Sequence, residues 1–228
     1  MASVIGHSLG AATVYQLGSS VFPEQWRGKR GLILAAGIGA IPDLDVVIYA
    51  LTRWTFGNAP HRGLSHSVLF SFVLALLAWA VIMWTSKRDT NKNKAPETDL
   101  AETSKPKAAQ IFLVLFAVAL IHLFLDWGME CGPPIRLWAP FSNVGYNSPV
   151  QFIPTAFYAR SVGGLVGVLF RPATWLGVFL EFAIMGPIFS AALMSPAQKQ
   201  ERGGRWKVWI ASCLLSFAGV MITFRMYN

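Results

Sequence analysis

The chain alternates long apolar runs with short polar connections. About 20 apolar residues in a helix cross the hydrocarbon core of a bilayer, and the runs 65–84, 108–127, 173–193 and 207–224 each reach about that length. A fifth run, 31–51, is long enough but carries Pro42, Asp43 and Asp45 in its second half. Proline removes a helical hydrogen bond, and lipid cannot solvate a carboxylate or a broken backbone. That run is therefore expected to be a helix broken around Pro42 and lining a polar cavity. Segment 2–21 is weakly apolar and rich in Gly and Ser, and its pattern fits a span, a re-entrant segment or a helix lying flat. The expected fold is all-α: a polytopic transmembrane helical bundle of five to six spans forming a single membrane-embedded domain over 1–228. Within it, 1–128 holds the polar motifs, 85–107 is a polar cytoplasmic loop, and 129–228 supplies an outer loop and two spans.

Composition agrees with this pattern. The chain is 54% hydrophobic and 13% charged, with a mean hydropathy of +0.47, against about 25% charged residues in soluble domains. The net charge of +8 does not point to nucleic acid, because the basic residues gather in short connections at 27–30, 87–107 and 199–207. The positive-inside rule produces that distribution and makes 87–107 and 199–207 cytoplasmic; if 27–30 is cytoplasmic too, 31–51 runs outward. Two spans, 108–127 and 173–193, separate the last two connections, the even number this placement requires. Cys131 and Cys213 form no CxxC and carry no disulfide or zinc-finger signal. No basic region precedes the first apolar stretch, so the N-terminal segment is expected to be retained.

The ionisable residues within or beside the spans are few and grouped. His7 stands near the N-terminus, Asp43 and Asp45 lie in PDLD, His61 and His66 bracket HRGLSH, and His122 precedes Asp126 in HLFLD. Each such residue costs a few kcal/mol at bilayer depth, so these groups face a cavity or one another. His122 and Asp126 are four apart on a strongly helical stretch and share a face. His61 and His66 are five apart, about 140° on a continuous helix; both reach one ion only if His61 lies in a loop broken at Gly63. Asp43 and Asp45 fall on one side only if Pro42 introduces a turn, and one of them can instead cap a helix. With the basic connections inside, His61, His66, His122 and Asp126 all come to the outer end of the bundle, joined by the outer half of 31–51 and, if 2–21 enters from outside, by His7. Imidazoles and carboxylates without thiolates suit a borderline to hard divalent ion, Zn or Mn. Arg62 adds a fixed cation suited to phosphate. Glu130 and Glu181 are left open: the first follows a helix end, and the second lies in an apolar run, where it must be paired or protonated. The aromatic and proline-rich stretch 132–172, with Arg136, Arg160 and Arg171, reads equally as a substrate wall or an ordinary interfacial loop.

Taken in order, His7 with Gly10, PDLD at 42–45, HRGLSHS at 61–67 and HLFLDW at 122–127 resemble the YdjM-like family of bacterial inner-membrane metal-dependent hydrolases, some of them LexA-regulated. The motif-bearing resemblance covers about 1–128, and Leu64 and Ser65 stand where that pattern has a β-branched residue and threonine. The resemblance implies a bacterial inner-membrane location and a metal site built from His7, Asp43, Asp45, His61, His66, His122 and Asp126. Seven ligands exceed the three or four of one catalytic zinc, which leaves room for two ions.

The functional expectation is a metal-dependent hydrolase acting on a phosphoester of a lipid or lipid-linked substrate from the extracytoplasmic side. Asp43 or Asp45 would act as base, with Arg62 on the phosphate. No GxSxG, Walker A or Rossmann fingerprint points to another nucleophile or to a nucleotide. The alternative is a metal- or proton-coupled transporter using the same cluster, with the broken helix as a gate. A third reading makes any metal purely structural. Transport places the cluster near midplane, and hydrolysis places it toward one face.

Overall fold

In the computed structural model, residues 3–52, 61–92, 108–128, 133–149 and 170–194 are described, with isolated positions at 166–167 and between 206 and 213. They form six helices: α1 (Val4–Leu17), α2 (Lys29–Ala40), α3 (Leu44–Thr52), α4 (Val68–Lys92), α5 (Ala108–Trp127) and α6 (Pro172–Leu193). Among the described residues, four stretches are long and apolar enough to cross a membrane: Lys29–Tyr49, Val68–Arg88, Ala108–Trp127 and Thr174–Leu193. Leu77, Leu113, Ile33 and Phe179 point outward on these four and are each at least 60% exposed. Such apolar surface suits a lipid solvent. The run 207–224 lies almost wholly outside the described residues, as do Cys131, Glu130 and Arg160.

The break predicted around Pro42 is present. A 3₁₀ turn, Ile41–Asp43, joins α2 to α3, with Asp43 inside the turn and Asp45 in the first turn of α3. The turn rotates both carboxylates inward, and both are buried.

Two boundaries differ from expectation. Helix α4 begins at Val68 rather than at residue 65, because 64–66 form a separate 3₁₀ turn and Ser67 turns extended, its Oγ accepting from the Phe70 backbone N–H at 3.1 Å. At its other end α4 continues to Lys92, past the predicted start of the polar loop. The first polar turn is held by Thr85 and Ser86 hydroxyls donating to the Val81 and Ile82 carbonyls at 2.8 and 2.7 Å, and by Arg88 over the Trp84 ring at 4.7 Å. Polar composition removes a segment from the bilayer without ending its helix.

The N-terminal segment is a helix of 14 residues, about 21 Å long at 1.5 Å per residue, shorter than the ~30 Å hydrocarbon layer. It packs inside the bundle against α2, α5 and α6. Its small residues permit this close approach. A Cβ at Gly39 of α2 would sit 2.6 Å from the His7 carbonyl oxygen, and one at Gly10 would sit 3.0 Å from Leu125 Cδ1 of α5. Ala11, Tyr15, Ala35, Ile38, Leu115 and Val118 form the core between these helices.

The two ends of the bundle differ. At one end the Trp26 indole N–H donates to Thr85 Oγ1 at 3.3 Å and the Gln25 amide donates to Ser86 Oγ at 3.1 Å, bringing the basic segments at 27–30 and 87–92 together. At the other end lie the start of α1, the α2–α3 turn, the turn before α4 and the end of α5, which carry every predicted metal ligand.

Gly39→Ala drives a methyl group into the backbone of α1, and overpacking of this kind costs about 1–3 kcal/mol. A lowered melting temperature in detergent is expected, whereas Gly37→Ala, where a Cβ meets nothing within 4 Å, should change it little.

Candidate metal centre

All seven predicted ligands and Arg62 gather in one buried cluster, each at most 8% exposed. Four different chain segments deliver them, and each does so for a local reason. Helical periodicity puts His122 and Asp126 on the same face of α5, with Nε2 and Oδ2 4.0 Å apart. The turn at Pro42 supplies Asp43. In HRGLSH the chain breaks as the spacing required, since Arg62 adopts φ +58° and Gly63 precedes the 3₁₀ turn. A left-handed conformation is uncommon for a non-glycine residue, and here it turns His61 and His66 toward the same centre. Their rings meet edge to face at 4.7 Å.

The hydrogen bonds around the cluster define which nitrogens face inward. His122 Nδ1 lies 2.7 Å from the Gly39 carbonyl oxygen and so donates to it. Ser65 Oγ donates to Asp45 Oδ2 at 2.5 Å and accepts from His66 Nδ1 at 3.0 Å. His61 Nδ1 donates to Asp45 Oδ1 at 2.8 Å. With protons on the outer nitrogens, the Nε2 atoms of His61 and His122 carry lone pairs, whereas against the cost of burial Asp126, Asp43 and Asp45 raise His66 well above the ordinary imidazole range, so that its Nε2 holds a proton which a bound cation would displace. Burial pushes the His61 imidazole below its ordinary range, against the opposing pull of Asp45, which keeps that lone pair available.

The inward atoms are imidazole nitrogens and carboxylate oxygens, each able to ligate a cation. Nε2 of His66 and Nε2 of His122 face each other at 3.0 Å. Asp43 Oδ1 stands 3.6 and 3.7 Å from them, and Asp126 Oδ2 stands 3.2 Å from His66 Nε2. His7 Nε2 is 3.3 Å from Asp126 Oδ1 and 3.7 Å from Asp43 Oδ2, with its ring stacked on His122 at 3.8 Å. Among the described residues, the buried side-chain polar atoms without a hydrogen-bond partner are both nitrogens of His7, both oxygens of Asp43, His61 Nε2, Arg62 Nη2, Asp126 Oδ1 and, outside the cluster, Ser71 Oγ. Lone pairs and carboxylate oxygens converging in a buried space repel unless a cation sits among them. Three aspartates against one arginine leave two negative charges, the charge of one divalent ion. The residues fit a metal.

They fit it in two overlapping sets. His7, Asp43, His122 and Asp126 bring ligand atoms within 4.8 Å of one another, and so do Asp43, His61, His66 and Asp126. Asp43 and Asp126 belong to both. Asp45 belongs to neither: it grips Nδ1 of His61 and, through Ser65 and its own Oδ2 at 3.4 Å, that of His66. Carboxylates behind ligating histidines commonly hold tautomer and ring in this way. Arg62 donates from Nε to Asp126 Oδ2 at 3.1 Å and from Nη1 to the Pro133 carbonyl at 3.0 Å.

Some participants were not foreseen from the sequence. Ser65 and the Gly39 carbonyl orient two of the histidines; neither belongs to a residue class that marks a site, although the Gly-rich start of 31–51 hinted at close helix contact. Glu181 is paired, with Ser3 rather than with the cluster: its carboxylate accepts from the Ser3 N–H at 2.7 Å and from the Ser3 hydroxyl.

Fold and site together define a multi-pass, all-α membrane protein with a buried His/Asp cluster able to hold a metal ion. Over residues 1–225 the chain matches the family described as YdjM inner membrane protein, and it belongs to that family. The match extends the resemblance seen in the first 128 residues through the C-terminal half. No curated protein and no solved structure matches the chain.

Elemental analysis of detergent-purified protein should find bound Zn or Mn in the wild type. His122→Ala and Asp43→Asn should both lose it, and Asp45→Asn should weaken affinity by the 10–100-fold typical of second-sphere changes without abolishing binding.

Proposed function

We propose that this protein is a membrane-bound metal-dependent hydrolase cleaving a phosphoester of a lipid or lipid-linked substrate. The observation that carries the reading is the juxtaposition of the buried His/Asp cluster with Arg62 Nη2, a buried guanidinium nitrogen without a hydrogen-bond partner. Such a donor recognises a phosphoryl oxygen.

Either ligand set could hold a divalent ion, which would supply Lewis acidity and lower the pKa of a water. The chain's own residues do the rest. Asp43, neither of whose oxygens is engaged in a hydrogen bond, would ligate through one oxygen and accept through the other the proton that water releases as its oxygen forms the new bond to phosphorus; the leaving alcohol departs and is protonated from solvent. Arg62, anchored through Nε and Nη1, keeps Nη2 for the phosphoryl oxygens. Asp45 works one step out, orienting His61 and His66. A second ion would leave the cluster with two positive charges, which a phosphomonoester dianion offsets, so the two overlapping sets favour an anionic substrate.

Position supports hydrolysis over transport. The ligands lie at or near helix ends, with Asp126 next to the last residue of α5 and His66 ahead of α4, whereas transport sites lie near midplane between repeats. The cluster also sits at the end of the bundle opposite the basic segments. With those segments cytoplasmic by the positive-inside rule, the site lies toward the extracytoplasmic side, near the headgroups of the outer leaflet.

Metal-loaded protein in lipid nanodiscs should release phosphate or phosphoalcohol from a panel of phospholipids and polyprenyl phosphates. Asp43→Asn, which removes a ligand of both sets together with the base, should abolish turnover. Arg62→Lys, which keeps the charge and loses the fork, should raise KM most for phosphorylated substrates. Absence of turnover on every phosphoester, together with metal flux in proteoliposomes, would overturn the hydrolase and establish the transporter.

Membrane sidedness is checked independently. A cysteine placed at Asn143, exposed in the loop after α5, should react with an impermeant maleimide in intact cells, and a cysteine at Lys87 should not. The reverse pattern places the site on the cytoplasmic side.

A further inference from the structure

His7 differs from the other three histidines in how it is held. His122 has the Gly39 carbonyl behind it, His61 has Asp45, and His66 has Ser65. Neither ring nitrogen of His7 has a hydrogen-bond partner among the described residues. Apart from the approach of its Nε2 to Asp126 Oδ1 at 3.3 Å, its position is set by its stacking on His122 and by the placement of α1 as a whole. That helix is short, rich in small residues and shows almost no separation of apolar and polar faces, so hydrophobic pattern alone cannot fix its rotation or its depth.

A specific anchor lies four residues before His7, about one helical turn. Ser3 is the N-cap of α1, its Oγ accepting from the Gly6 N–H at 2.9 Å. Glu181, from the middle of α6, closes on that cap. Its two carboxylate oxygens accept from the Ser3 N–H at 2.7 and 2.9 Å, and one also accepts from the Ser3 hydroxyl. Gly6 leaves no room for a Cβ against the same carboxylate, so the first turn of α1 rests directly on it. Glu181 is only 4% exposed. A carboxylate inside an apolar span is costly, and the N–H and O–H donors and positive end of α1 offset that cost.

We propose that Glu181 is a positioning residue for the metal centre: by gripping the N-cap of α1 it fixes the rotation and depth of the turn that presents His7. The C-terminal half of the chain, which supplies no ligand among the described residues, thereby completes the ligand set of His7, Asp43, His122 and Asp126. The set of Asp43, His61, His66 and Asp126 does not depend on it. This rests on the metal-site reading above for one of its two readouts and not for the other.

The first readout needs no metal. In chelator-treated full-length protein, labelling of histidines by diethyl pyrocarbonate is read by mass spectrometry for wild type, Glu181→Ala, Glu181→Gln and Ser3→Ala. His7 should be protected in the wild type. In Glu181→Ala it should react at least tenfold faster while His122 stays protected, Ser3→Ala should give a smaller change in the same direction, and Glu181→Gln, which can still accept from the Ser3 N–H, should restore most of the protection. His7 remaining protected in both alanine variants, or all four histidines becoming reactive together, overturns the proposal.

The second readout is metal content. Glu181→Ala should lose the same share of bound Zn or Mn as His7→Ala, and the double variant no more than His7→Ala alone. Full retention in Glu181→Ala, or a larger loss in the double variant, overturns the positioning role. A wild type that binds no metal while its labelling pattern is as expected overturns the metal centre and leaves the anchor standing.

Discussion

Three buried aspartates and four buried histidines meet at one end of a helical bundle whose outer surface is apolar, and their mutual repulsion is the constraint that the rest of the structure answers. Arg62 offsets one charge by donating to Asp126. Acceptors behind three of the histidines take the Nδ1 protons and turn the Nε2 atoms inward, toward where a cation would sit. An apolar core of similar volume would be more stable than such a cluster left unfilled. Its construction from four separate segments, with outer-sphere partners for three of the four imidazoles, is what a ligand for cations requires and what a merely tolerated polar cavity does not.

The helical frame serves that cluster through close packing rather than through hydrophobic patterning. In lipid, helix association relies on small residues and van der Waals fit, because lipid tails are as apolar as leucine. Gly39 against the backbone at His7 and Gly6 against Glu181 are contacts of this kind. They bring α1, too short for a regular span, into the centre of the bundle, where it carries a ligand. The opposite end is built differently, with Tyr15 donating to the Trp26 carbonyl and indole, amide and hydroxyl groups linking basic segments. One end is organised around carboxylates and imidazoles, the other around cations.

Much of the architecture was legible in the chain. Runs of about 20 apolar residues announce spans because the bilayer sets their length, and Pro42 announces the break in 31–51 because it cannot donate to the ladder. Boundaries were less legible. The start of α4 shifted by three residues because Ser67 caps the helix, and its end shifted because a helix persists beyond the interface when local hydroxyl and cation–aromatic contacts support it. Among the ligands, His122 and Asp126 followed from spacing alone, and the loop-and-break geometry of HRGLSH followed from its five-residue separation. The division of labour between Asp43 and Asp45 did not. Two residues apart, they are equivalent in pattern, and only the turn at 41–43 sends one to the centre and the other behind the histidines.

The chain alone determined that this is a membrane-spanning helical protein, which end carries basic residues, and which few ionisable side chains must find one another, since the cost of isolated charge in lipid leaves no other outcome. Tertiary structure decided how they meet: that Asp45 supports rather than lines the centre, that the Gly39 carbonyl and Ser65 fix histidine tautomers, and that Glu181 belongs to Ser3. The reason is physical. Periodicity and span length are local properties written in consecutive residues, whereas the partner of a buried polar atom is chosen by packing between segments up to 178 residues apart, which no local pattern encodes.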